Sequence, residues 1–428
     1  MEYEEIISWI HERTKFGIRP GLTRINYLLE QLDNPQDKLK IVHIGGTNGK
    51  GSTTTFLRCL LEQQGLNVGT FTSPYIESFN ERIAINGQPI PNDDLVALCQ
   101  KVIPIVNDMD KNPELSHTVE FEVLTAMMFD YFVEKKVDIV LVEVGLGGRF
   151  DCTNVMTPLA SVITTIGLDH IDILGDTIEE IASQKAGIIK ENRPAIVGKV
   201  SDEAFDVISK EANALHAPIK RYGVDYHSEY LQPTDNWGET FNFKSEEVTL
   251  KQLTINMVGK HQVDNASVAI EAFNEVAEML HLPVSNRDYQ KGLQRAFWPG
   301  RMEKISDEPF IVLDGAHNDH AMEVLVDNLR REFSDRPIHT IFGALTTKDI
   351  KGMIELLQSV NNLDLKVTTF DYPKACTKEM YEEMGLTAYD HWQEALSDTL
   401  KELLGDDLIL ITGSLYFISQ VRQTLLGE

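Results

Sequence analysis

A glycine-rich run, Gly46-Thr47-Asn48-Gly49-Lys50-Gly51-Ser52, stands between a short apolar segment and a helix-forming one. Phosphate binding asks for this order: glycines that let backbone N–H groups converge, a lysine for charge, and the positive end of a helix. The competing reading is a glycine-rich turn with a solvated lysine. The run departs from the usual P-loop at one place. Gly51 follows Lys50 where a Ser or Thr hydroxyl ordinarily reaches Mg2+, so that hydroxyl must come from elsewhere. Ser73, in Thr72-Ser73-Pro74, can supply it, although a serine before proline is also an ordinary turn residue.

Other candidates sit where strands end. Glu143 closes the apolar stretch Ile139-Val140-Leu141-Val142 and precedes Gly145-Leu146-Gly147-Gly148. A buried carboxylate is costly unless paired or bound to metal, so an acid here suits Mg2+ in a phosphate-binding protein. Asp169-His170 follows another apolar stretch; the histidine is a ligand candidate or a structural residue. The loop 75–83 carries Phe79-Asn80-Glu81-Arg82, a mixture suited to a planar anionic ligand or to a plain surface loop. Asp314-Gly315-Ala316-His317-Asn318 repeats the strand-end pattern in the second half, with Arg301 just upstream. Nothing in the periodicity singles out Lys185 or Lys190 from surface lysines.

The elements that must position these groups alternate. Apolar runs at 41–44, 68–72, 138–144, 161–166 and 195–197 read as strands; 52–64, 121–134 and 178–190 read as helices. That alternation predicts an α/β fold, a parallel sheet covered on both faces. Residues 222–257 are polar and strand-like and suggest a small antiparallel insertion. Helices are expected at 263–280 and 289–297. Trp298-Pro299-Gly300 is the linker candidate. Beyond it, strands at 311–313, 339–342, 366–370 and 408–412 with helices between them predict a second, Rossmann-like α/β unit. The expected domains are thus 1–298 and 299–428.

Composition narrows the class. The 428 residues are 42% hydrophobic and 25% charged, ordinary for a globular chain, with a formal net charge of −27. Such a surface repels nucleic acid and anionic lipid, so no partner of either kind is expected, and an anion site must be built locally from amides, a few cations and metal ions. The cysteines at 59, 99, 152 and 376 are far apart and fit reduced thiols in a cytoplasmic protein. An acidic N-terminus and no run of membrane-spanning length complete that expectation.

Taken together, the stretches from Gly46 to Ser52, Thr72-Ser73-Pro74, Phe79 to Ile83, Glu143 to Gly148, Leu168-Asp169-His170 and Lys185-Ala186-Gly187-Ile188-Ile189-Lys190 resemble the folylpolyglutamate synthase / dihydrofolate synthase family of the Mur ligase superfamily. The likeness continues through His261-Gln262, Asn265-Ala266, Trp298 to Arg301, Asp314 to Asn318 and Ile411-Thr412-Gly413-Ser414. These motifs occur in the family's order and span nearly the whole chain.

The resemblance implies an ADP-forming amide ligase that adds L-glutamate to reduced folate or dihydropteroate with ATP as co-substrate. It implies that Thr47, Asn48, Gly49, Lys50, Gly51 and Ser52 cradle the ATP phosphates, and that Asn265, Arg301 and Asp314 also contact ATP. Ser73, Glu143 and His170 would ligate Mg2+, one of two ions, near a carbamylated Lys185. The pterin side is expected at Phe79, Arg82, Glu120, Phe121, Glu122, Phe150, Asp151 and Cys152, and the glutamate side at His317 and Ser414. A monomer is the family expectation. Two departures stand out. Pro373-Lys374-Ala375 has lysine where the family carries arginine, losing the bidentate fork. Val119 stands where some dihydropteroate-using members have a hydroxyl residue, whereas Gly148-Arg149-Phe150-Asp151 resembles the bifunctional branch.

Two rivals remain. A cell-wall Mur ligase would carry a UDP-sugar-binding domain before the phosphate loop, where this chain has about 45 residues. A nucleotide switch would share Asp172-Ile173-Leu174-Gly175 but needs an Asn-Lys-x-Asp guanine motif, which does not occur.

Overall fold

The computed structural model describes residues 2–17, 19–75 and 77–427. Two compact units emerge: one of residues 1–231, 240–254 and 262–296, the other of 232–239, 255–261 and 297–428.

The first unit opens with α1 (Tyr3–His11) and α2 (Thr23–Gln31). Strand β1 (Ile41–Gly45) then leads through the glycine-rich turn into α3 (Lys50–Gln63), followed by β2 (Val68–Phe71), β3 (Ile83–Ile85), β4 (Gln88–Pro89), α4 (Asn92–Met109) and α5 (Glu120–Glu134). Strand β5 (Ile139–Glu143), β6 (Ala160–Ile163), α6 (Ile171–Leu174), α7 (Ile178–Ala186), β7 (Ala195–Val197), α8 (Asp202–Ala214) and β8 (Ile219–Arg221) complete an eight-stranded sheet of order β4-β3-β2-β5-β1-β6-β7-β8. From β2 to β8 the pairings are parallel; β3 and β4 are antiparallel edge strands.

Burial on both faces explains the continuous apolar runs: every residue of β1, β2, β5, β6 and β7 is buried. On one side Ile6, Ile10, Leu28, Leu29, Val102, Met127 and Phe129 pack into a single core. On the other, Ala182, Ala186, Ile188, Ala204 and Ile208 close against Ile163 and Val197. Close approach needs glycine in places: a Cβ on Gly69 would stand 2.9 Å from the Phe132 ring. Truncating Phe129, fully buried here, would cost about 3–5 kcal/mol.

A three-stranded sheet of order β11-β10-β9 follows, from β9 (His227–Thr234), β10 (Gly238–Lys244) and β11 (Thr249–Ile255), then α9 (Lys260–Met279) and α10 (Asn286–Arg295). In the second unit β12 (Glu303–Asp307), β13 (Phe310–Asp314), α11 (Asp319–Glu332), β14 (Ile338–Phe342), α12 (Ile350–Gln358), β15 (Leu363–Thr368), α13 (Lys378–Glu382), β16 (Ala388–Tyr389), α14 (Trp392–Glu402), β17 (Leu408–Thr412) and α15 (Leu415–Leu426) form a six-stranded α/β layer, order β12-β13-β17-β14-β15-β16. All pairings but β12–β13 are parallel. This is the α/β architecture expected.

Boundaries shift at some elements. The helix expected over 178–190 ends at Ala186. Ile188 and Ile189 turn inward, the Ile188 carbonyl accepts from Ser161 Oγ at 2.9 Å, and the backbone of Arg149 packs 2.6 Å from where a Cβ of Gly187 would stand. Lys190 therefore lies beyond the helix.

Candidate active site

Strands β2, β5, β1 and β6 are neighbours and run parallel, so their carboxyl ends present Ser73, Glu143, the Gly46–Lys50 turn and Asp169-His170 along one edge. This is where open α/β sheets bind ligands. A cleft there is lined by Gly46, Thr47, Lys50, Gly145, Gly147, Asp169, His170 and Lys185, among others.

The glycine-rich turn is shaped by contacts rather than by glycine alone. Gly49 is the N-cap of α3 with φ 83°, a left-handed conformation that costs other residues strain. Asn265 presses its side chain on it, held by a 3.0 Å bond from Asn265 Nδ2 to Gln262 Oε1. Thr47 N–H donates to the Thr165 carbonyl and Asn48 N–H to Thr165 Oγ1, both at 2.9 Å. Two of the six residues expected to cradle phosphate thus direct their amides at β6's end. The first-turn amides of Lys50, Gly51 and Ser52 have no acceptor within the helix, and together with the α3 dipole they make a helix start of the kind that suits an anion. Lys50 Nζ donates to the carbonyls of Gly46 and Thr47 at 3.1 and 3.2 Å and stands 3.9 Å from Glu143 Oε1.

Lys185, an unremarkable lysine in the sequence, is 4% exposed. Burial, and next the charge of Lys50, push its pKa down to about 7, while Asp169 and Asp151 act in the opposite direction. His170 adopts φ 50°, is exposed, and its amide donates to Asp169 Oδ1 at 2.9 Å.

Expected pterin-side residues divide into two groups. Phe79, Arg82 and Glu120 come together: Arg82 Nη2 is 3.5 Å from Glu120 Oε1, and its guanidinium lies over the Tyr75 and Phe79 rings at 5.3 and 5.7 Å. His11, which sequence reasoning missed, joins them, its Nδ1 3.2 Å from Glu120 Oε2 and its ring edge-on to Phe79. The second group has partners in the protein. Glu122 is buried against Arg24, whose Nε donates to both carboxylate oxygens at 3.0 and 3.1 Å. Asp151 accepts from the amides of Leu146 and Thr153 and so holds the Gly145–Gly148 turn; burial raises its pKa against those bonds. Cys152 Sγ lies 3.2 Å from Thr125 Oγ1, Phe121 stacks on Phe71, and Phe150 is 53% exposed. Ile76, within the 73–84 loop, lies outside the described residues.

In the second unit, Asp314 and Thr412 are paired across β13 and β17, which sets Asp314 and Ser414 at adjacent strand ends. Asp314 is buried, accepts from the amides of Met302 and Ala316 at 2.9 Å, and is raised in pKa by burial against the nearby Arg301. Arg301 Nη1 donates to the Gly300 carbonyl at 3.0 Å and His317 Nδ1 is 2.7 Å from the Gly315 carbonyl. Ser414 caps α15. His261, packed near Arg301, Arg331 and His320, is held neutral with its pKa pushed down to about 3, chiefly by burial.

Residues 44–273 match the family model described as Mur ligase middle domain, and residues 300–415 the one described as Mur ligase, glutamate ligase domain. The dihydrofolate synthase/folylpolyglutamate synthase of Bacillus subtilis (strain 168) is 41% identical over 432 residues, 99% of both chains. The chain belongs to the folylpolyglutamate synthase / dihydrofolate synthase family of Mur ligases. The folylpolyglutamate synthase of Lacticaseibacillus casei is 37% identical over 100% of this chain and 99% of its own. A solved FPGS–AMPPCP–folate complex superposes with a TM-score of 0.87 at 36% identity, covering both chains fully.

Proposed function

We propose that this protein is an ATP-dependent ligase that adds L-glutamate to the γ-carboxylate of reduced folates through an acyl phosphate, and that it also accepts dihydropteroate. One observation carries the reading: Gly46, Thr47, Lys50 at the start of α3, Asp169, His170 and the buried Lys185 converge on one cleft at the carboxyl ends of β1, β5 and β6.

A carboxylate is a poor acylating agent. Transfer of the γ-phosphoryl group forms a carboxyl–phosphate bond as ADP leaves; the glutamate amine then adds to the carbonyl, and the tetrahedral intermediate expels phosphate. The protein's part is positioning and charge stabilisation. Lys50 and the amides of Lys50, Gly51 and Ser52 hold the phosphates. Arg82, flanked by aromatic rings, orients the folate side. Arg301 and Asp314 contact ATP, and His317 and Ser414 serve the incoming glutamate. The work divides between residues 1–298, which bind ATP and folate, and 299–428.

The residues also suit Mg2+. Glu143, 3% exposed at the end of an apolar strand, is a hard carboxylate of the kind Mg2+ prefers, and its charge needs a cation in that setting. Ser73, Glu143 and His170 would hold the metal. When bound, Mg2+ neutralises charge developing on the transferring phosphoryl group. Lys185, whose pKa is pushed down to about 7 and which is therefore partly neutral near pH 7, adds to CO2 as a carbamate with loss of a proton, turning a cation into an anion beside this site. No helix among the described residues is long and apolar enough to cross a membrane; we assign the enzyme to the cytoplasm as a monomer.

Mass spectrometry of products from Mg-ATP, glutamate and either tetrahydrofolate or dihydropteroate tests the reading. A glutamyl product in both tubes is expected. Extension of tetrahydrofolate alone would remove the second activity, and phosphate release without glutamyl product would remove both.

A further inference from the structure

The phosphate loop is laced to the end of β6 by two adjacent threonines that no role assigned above uses. Thr164 Oγ1 donates to the Asn48 carbonyl at 2.6 Å; Thr165 Oγ1 donates to the same oxygen at 3.1 Å and accepts from Asn48 N–H at 2.9 Å. The Thr165 carbonyl accepts from Thr47 N–H at 2.9 Å. Two residues on, Gly167 closes a reciprocal pair with Thr47, its N–H donating to Thr47 Oγ1 at 3.0 Å and its carbonyl accepting from that hydroxyl at 3.1 Å. The fit is tight: a Cβ on Gly46 would fall 1.9 Å from Thr164 Oγ1.

The strand end so laced runs directly into Leu168-Asp169-His170. Asp169 and His170 line the same cleft as Gly46, Thr47 and Lys50. A displacement of the phosphate loop must therefore be passed to the Asp169–His170 turn through Thr165 and Gly167, because hydrogen bonds of this density leave the two segments little independent freedom.

We propose that Thr165 is a positioning residue whose hydroxyl couples the phosphate-holding loop to the Asp169–His170 turn, so that nucleotide and metal are bound as one preassembled unit. The proposal rests on the nucleotide and Mg2+ roles given above. Thr165 is not among the residues lining the cleft; it acts by fixing Asn48, and through it the start of α3. Its hydroxyl is the group that both donates to and accepts from Asn48. A methyl in its place leaves Asn48 N–H and its carbonyl without that partner while preserving side-chain volume.

The test is titration of the intact protein with AMPPCP by calorimetry, once with Mg2+ and once with EDTA, for the wild type and for Thr165→Val, Thr165→Ala and Thr165→Ser. Mg2+ should tighten AMPPCP binding to the wild type, and that gain should fall at least fivefold in Thr165→Val. Thr165→Ser, which keeps the hydroxyl, should stay within twofold of the wild type. In ligation assays Thr165→Val should lower kcat/KM for Mg-ATP at least tenfold and leave KM for glutamate within twofold. If Thr165→Val does not fold, judged by its melting transition, Thr165→Ala carries the same comparison. An unchanged Mg2+ gain in the hydroxyl-lacking variants, or a Thr165→Ser as defective as they are, overturns the proposal. A wild type that binds AMPPCP with the Mg2+ gain but makes no glutamyl product would overturn the proposed ligation instead, leaving this coupling standing.

Discussion

The side-chain oxygen of Asn265 lies 2.3 Å from the point where a β-carbon on Gly49 would stand. One residue lies in the second turn of α9 and the other caps α3, so a helix more than two hundred positions downstream shapes the glycine-rich turn. Gly49 is required twice over: by this contact and by its φ of 83°. Gly49→Ala should therefore weaken nucleotide binding at least tenfold. Adding Asn265→Ala should restore little, because the left-handed conformation alone costs about 1–2 kcal/mol and Asn265 is itself an expected ATP contact. Nucleotide titrations of the single and double variants measure both terms.

Lys185 sets a pH dependence. Its pKa is pushed down from 10.5 to about 7, so the reactive neutral amine predominates above pH 7 and gives way to the ammonium below it. Protein stripped of CO2 at low pH should regain activity on adding bicarbonate faster at pH 8 than at pH 6. A carbamate resonance should appear in 13C spectra after labelled bicarbonate, and Lys185→Met should lack the resonance and lose activity at least a hundredfold.

Arg24 and Glu122 form a buried ion pair joining α2 to α5. Removing one partner from such a pair strands the other charge, at a cost of about 3–5 kcal/mol. Arg24→Ala should lose stability of that order in urea denaturation. Glu122→Gln, which keeps an oxygen to accept from Val119 N–H, should lose less.

Glu271 titrates in the opposite sense from a salt-bridged surface acid. Burial, then the charge of Glu247, raise it from 4.5 to about 7, against the pull of Lys220. The folded state holds this proton more tightly than the unfolded chain. The resulting stabilisation is complete below about pH 4.5 and is lost as pH rises through about 7. The melting temperature of Glu271→Gln should therefore gain on that of the wild type between pH 5 and pH 8, and a constant difference would contradict the assignment.

Local signals were readable where chemistry is local. The glycine spacing from Gly46 to Ser52 marks the turn between β1 and α3, and the lone acid closing β5's apolar run marks Glu143 as a buried strand-end carboxylate. Helix α4 escaped notice because Pro104 interrupts its helix-forming pattern; β3, β4 and β16 are too short for any period to register. The burial of Lys185 arises from packing of α7 against α8 and from the close approach of Gly148 to its backbone, and nothing within a few residues of it predicts that. Arg24 and Glu122 are 98 positions apart, and Asn48 and Thr165 are 117 apart. Such pairs exist only once the sheet order is fixed, so the family resemblance could point to Glu122 without revealing that its carboxylate already has an internal partner.

The chain crosses between its two units five times, after residues 231, 239, 254, 261 and 296. A cut after residue 298 would leave 232–239 and 255–261 attached to the wrong fragment, and with them Glu239, which accepts from Arg331 of the second unit at 2.7 Å. The two units of this enzyme are therefore not interchangeable cassettes: because three separate segments of the chain build the second one, recombination at a single junction cannot exchange it for a foreign counterpart.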